Sequence, residues 1–169
     1  MPPIDMHLLE IYLDDHWAGA GAGRSLAARL VENNRDTQGE DRLSWVLGEI
    51  EEDDETLGQV RAALGFEGGT AKRTLARAAE RVSRLKPNGR LISYSPLSRL
   101  LECEALGAGV LGKRRLWSAL HDGLGDSTEL SEFDFEDLIR RADHQMEVLS
   151  DFHSHAASLA FRQGAGLVR

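Results

Sequence analysis

Apolar residues along this chain recur at the spacing of amphipathic helices. In residues 6–32, Leu9, Leu13, Ala20 and Ala27 fall on one side, with Leu26 and Leu30 beside them. NNRDTQGED (33–41) is polar and reads as a turn. Residues 42–64 carry the cleanest repeat. Leu43, Ile50, Leu57 and Leu64 fall every seven residues, with Val46 and Val60 on the companion line. Gly65 is placed to close that helix from the left-handed region. A shorter helix is expected over 70–86, with Thr70 as N-cap and Ala71, Leu75, Ala78, Val82 and Leu85 on its apolar side. KPNG (86–89) ends it with turn chemistry. SPLSRLLECEAL then opens a third long helix, with Ser95 as N-cap and Pro96 in the first turn, running to about Leu120. HDGLGDSTELSE (121–132) reads as loop. The last long helix spans 133–161, with Phe135, Ala142, Leu149 and Ala156 on one heptad line and Leu138, Phe152 and Leu159 on the next. The tail GAGLVR is expected to fray.

The pattern thus predicts an all-α chain, one domain over 1–169, with four long helices and one short helix. The connection between the second and third long helices holds the short one and is much longer than the other two. A four-helix bundle with one long crossover has this arrangement.

Two glycine runs resemble phosphate grips. In HWAGAGAGRSLAARL (16–30) the phosphate-loop pattern fails at two of its fixed positions, with Ala18 for the first glycine and Arg24 for lysine. GAGVLG (107–112) matches G-x-G-x-x-G but follows a helical pattern and not a strand. Both runs therefore read as helix. Each glycine costs about 0.5–1 kcal/mol relative to alanine. Close approach of a neighbouring helix would offset that cost, with the first and third helices facing each other through these runs.

Composition narrows the functional classes. Net charge is −8, which opposes nucleic-acid binding by the surface as a whole. The segment from Phe66 to Tyr94 runs against this trend, with seven basic and two acidic residues. Its row Arg73, Arg77, Arg81 and Arg84 is the candidate anion-binding set, for a nucleic acid or an anionic surface. Cys103 is the single cysteine, so no internal disulfide can form, and a reducing, cytoplasmic setting is expected. No apolar run reaches membrane-spanning length, and the N-terminus lacks the basic start of a secretory signal. Trp17, Trp45 and Trp117 read as packing anchors. His153 and His155 point away from each other on a helix and do not form a joint metal site. Ser25 and Ser95 lack a visible His–Asp arrangement.

Polar residues interrupt the heptad lines near the middle of each helix. His16, beside Asp15, breaks the first; Asp53 falls between Val46 and Val60 in the second. Glu104 falls between Leu97 and Leu111, and Gln145 between Leu138 and Phe152. At similar heights these would form one buried polar layer. Buried carboxylates are costly unless paired, protonated or bound to a cation.

The helix pattern, the crossover and segments such as EIEEDDETLGQVRAALG and LSRLLECEALGAG resemble the ferritin-like superfamily, over roughly residues 8–160. That resemblance implies two metal ions held by core carboxylates and E-x-x-H pairs. Carried over by position, Asp53 and Glu104 match carboxylate slots, Asp15 the first-helix slot, and Gln145 stands in the fourth-helix slot. None of the six histidines has glutamate three residues before it, so E-x-x-H is absent. The chain is therefore expected to be a non-catalytic bundle, dimeric, with a relic polar layer of Asp53, Glu104, Gln145 and His16 that sets helix register and no cofactor. The alternative is a divalent metal on oxygen ligands, Mg, Ca or Mn over iron, serving a metal-dependent oxidoreductase through Asp53 and Glu104.

Overall fold

The computed structural model describes residues 3–66 and 94–162. Within them the chain forms four long α-helices: α1 (Met6–Glu32), α2 (Glu40–Ala63), α3 (Pro96–Leu124) and α4 (Phe135–Arg162), with a 3₁₀ turn at Thr128–Leu130. The described residues contain no strand. The short helix expected over 70–86, with Arg73, Arg77, Arg81 and Arg84, lies outside the described residues, as does the tail.

Local chemistry sets the helix ends. The Asp5 carboxylate accepts from the backbone N–H groups of His7 and Leu8, both at 3.1 Å, which satisfies two orphan donors of α1. Ser95 caps α3 through the Ser98 N–H at 3.1 Å, with Pro96 in the first turn. Asp134 does the same for α4 through Asp137 N–H at 2.8 Å. Gly65, at φ +77°, ends α2. Its N–H reaches Ala62 O at 2.9 Å while Phe66 N–H reaches Arg61 O at 2.9 Å, a Schellman stop. The third helix runs four residues further than the pattern suggests, because Leu120 and Leu124 both bury on the same side.

Cross-helix ion pairs define the arrangement. Arg24 meets Asp54 at 3.0 Å and Asp14 meets Arg61, so α1 and α2 run antiparallel. Arg29 meets Glu102 at 2.8 Å, and Tyr12 shares a cleft with Ala119 at the other end, so α1 and α3 are antiparallel too. Arg42–Asp151 and Arg141–Glu49 set α2 against α4, and Cys103–Leu149 and Lys113–Gln145 set α3 against α4. Around the bundle the order is α1, α2, α4, α3. Helices α2 and α3 therefore run parallel on opposite corners. Phe66 packs into the core at one end, and Tyr94 accepts from Asn34 Nδ2, beyond the end of α1, at 3.2 Å.

Two apolar clusters fill the interior. One holds Leu30, Val46, Leu106 and Leu149; the other holds Leu13, Val60, Trp117 and Leu138. Hydrophobic burial of this kind stabilises by about 25 cal/mol per Å² removed from water. Trp117 is fully buried, as an anchor should be, whereas Trp17 is half-buried and Trp45 is exposed, edge-on to His144.

The glycine runs do not face each other. A Cβ built at Gly19, Gly21, Gly23, Gly107, Gly109 or Gly112 meets no described atom within 4 Å. The runs are helical, as the pattern indicates, but they thin the outer surface of α1 and α3 and do not bring those helices closer.

Candidate functional site

The seam between the two apolar clusters holds charge. Asp53 on α2 is buried and sits on the line between Val46 and Val60, both of which are fully buried. Gln145 on α4 is fully buried and donates from Nε2 to Asp53 Oδ2 at 2.9 Å. The ammonium of Lys113, from α3, donates to that same carboxylate oxygen and to Gln145 Oε1 at 2.6 Å. Arg141 on α4 lies 3.6 Å from Asp53 Oδ1, an oxygen with no hydrogen-bond donor among the described residues. Arg141 also bonds Glu49 at 2.9 Å and Glu52 at 2.7 Å, which carries the network out to solvent.

Burial lowers the Lys113 pKa, while the Asp53 charge and its hydrogen bond pull it back up. Burial also opposes the Arg141 charge. Its bond to Glu49 and the Asp53, Glu49 and Glu52 charges more than compensate, so the guanidinium sits above its ordinary value. The result is a buried anion held by a cation from each of two other helices, with an amide filling the remaining bond. Such a group ties three helices to one relative height.

Sequence spacing places Asp53 and Gln145 correctly, and the structure brings them into contact. It does not bring Glu104 or Asp15 to them. Glu104 is exposed and pairs with His153 at 3.1 Å. Leu97 and Leu111, the neighbours on its supposed inward line, are 52% and 45% exposed. The inward face of α3 is instead Leu100, Cys103, Leu106 and Val110. Asp15 is exposed, and the adjacent Asp14 is buried in its place. Asp14 pairs with the buried Arg61, whose guanidinium lies 4.3 Å above the Trp17 ring. His16 is half-buried, edge-on to Tyr12, and burial lowers its pKa. The single four-helix layer thus resolves into two separate buried charge groups.

Lys113, Arg141, Asp14 and Arg61 are the residues that spacing did not single out. Lys113 carried a signal: on the line Leu106, 113, Leu120 it interrupts two buried leucines. Glu104 interrupts a line that is exposed.

Among the described residues, no three His, Cys, Asp or Glu side chains converge as a metal-holding group. Two clefts lie away from the network. One, of about 550 Å³, is lined by Thr56, Gln59, Glu129, Glu132, Asp134 and Asp137 among others. The second, of about 230 Å³, lies between α1 and α3. Asp53, Lys113 and Gln145 line neither.

Cys103 is buried and its thiol donates to Leu149 O at 3.4 Å. Burial, with a smaller push from Glu104, raises its pKa to about 11. The thiol therefore stays protonated at pH 8. Iodoacetamide is expected to label it slowly in native protein and rapidly in urea, which mass spectrometry against time will show. Equal rates in both conditions would contradict its burial.

No known protein family, curated protein or solved structure matches this chain.

Proposed function

We propose that this chain is a non-catalytic, ferritin-like bundle whose own ammonium group replaces the cations of a core metal centre. One observation carries the reading: Lys113 Nζ sits between Asp53 and Gln145, where a metal bound by those residues would have to lie. The antiparallel pairs α1–α2 and α3–α4, with α2 and α3 parallel, support the ferritin-like comparison, since a crossover joining opposite ends of the bundle is that arrangement.

The residues present do not fit a di-metal centre. Asp53 is already neutralised by Lys113 and faced by Arg141. Glu104, the other carboxylate expected there, lies nine residues before Lys113, about 13 Å along α3, and faces His153. Asp53, Lys113 and Gln145 line neither of the two clefts. The chain then acts through its surface.

Elemental analysis of protein purified without chelator tests the reading. The expected result is no stoichiometric transition metal. Two tightly bound ions per chain would overturn it.

A further inference from the structure

We infer that the core holds an intramolecular isopeptide site, at which Lys113 Nζ displaces ammonia from the Gln145 side-chain amide and links α3 to α4. This rests on the reading that Lys113 occupies the place of a cation in the core. The ion-paired arrangement described above is the state from which the bond forms.

Such a reaction needs an amine, an amide and an acid in mutual contact. Lys113 is the one lysine among the described residues, and its ammonium donates to Gln145 Oε1 at 2.6 Å. That oxygen is carried by Cδ, the carbon to be attacked. Asp53 is the third member. Its Oδ2 accepts from Lys113 Nζ and also from Gln145 Nε2, the latter at 2.9 Å. One carboxylate oxygen therefore touches both the group that must lose protons and the group that must gain one. Asp53 and Gln145 are buried, and the Lys113 side chain is 17% exposed. Groups held together and well oriented react as if at effective concentrations of roughly 10⁵ M and above. The other buried pair, Asp14 with Arg61, has no such chemistry, because a guanidinium stays charged and is no nucleophile.

The steps balance without an oxidant or reductant. A proton passes from Nζ to Oδ2 and leaves a neutral amine beside a neutral acid. Burial, which opposes the Lys113 charge, favours this transfer. Arg141, 3.6 Å from Asp53 Oδ1, holds the carboxylate ionised and so slows it. Nζ then bonds to Cδ. Oδ2 gives its proton to Nε2 and takes a second from Nζ. The Cδ–Nε2 bond breaks and ammonia leaves. An amide N–H and a protonated Asp53 remain where an ammonium and a carboxylate stood, so the desolvation cost of two buried charges is removed.

Intact-mass spectrometry tests this on the full chain, kept folded for days at physiological temperature and then denatured. The expected result is a growing species lighter by one ammonia molecule, with the Lys113 and Gln145 segments joined in a tryptic digest. Asp53→Asn keeps the shape but cannot relay a proton, and it should slow the loss by about a hundredfold or more. If circular dichroism shows that variant unfolded, the wild-type mass and digest decide alone. A folded wild type that keeps its full mass would overturn the inference. So would an ammonia loss found only with the two segments separate, or a folded Asp53→Asn that crosslinks at the wild-type rate. Bound metal leaves the denatured mass unchanged, so failure of the core reading shows in elemental analysis and not here.

Discussion

Lys113→Met is expected to destabilise the fold by about 3–5 kcal/mol, the range for leaving one buried charge without its partner. Asp53 is buried, its Oδ2 is bonded by Lys113 and Gln145, and its Oδ1 has only Arg141 at 3.6 Å. Removing the ammonium leaves that carboxylate to protonate or to draw in water. Asp53→Leu, Lys113→Met and Gln145→Leu together should recover most of the loss, because an apolar seam of similar volume has no desolvation cost to offset. Urea unfolding followed by circular dichroism measures both. A Lys113→Met variant within about 0.5 kcal/mol of wild type would show that the network is incidental. A triple variant as unstable as the single would show that register requires the charges.

The second large effect is expected at Arg61→Met, again about 3–5 kcal/mol. Arg61 and Asp14 are both buried and bind each other, so the substitution strands the carboxylate and uncovers the Trp17 ring. Glu104→Ala provides the contrast. Its pair with His153 is half-exposed on both sides, so the loss should stay within about 1 kcal/mol. Thermal melts of the two variants side by side separate buried from surface charge. Comparable losses in both would mean that the Asp14–Arg61 pair is not sealed from water.

These contrasts show what spacing can and cannot reveal. Asp53 and Gln145 were legible because α2 and α4 each have one apolar side, and a polar residue on that side stands out. Helix α3 is apolar on two sides, with Leu100, Leu106 and Val110 inward and Leu97, Leu101 and Leu111 outward. Two heptad lines therefore looked equally internal, and Glu104 lay on the wrong one. On α1 the choice between Asp14 and Asp15 is a rotation of 100°, and α1 is turned so that the first meets the buried Arg61 of α2.

The sequence alone determined the four helices, the Ser95 cap, the Gly65 stop and the inward place of Asp53 and Gln145. Each follows from a local rule: helical period, a capping side chain, or a residue free to adopt positive φ. Tertiary structure alone decided which side of α3 faces inward, and that Lys113 and Arg61 supply the buried positive charge. It also decided that the glycine runs lie outside. Those outcomes depend on how neighbouring helices are rotated against one another, and a single helix carries no record of that rotation when both of its sides are apolar.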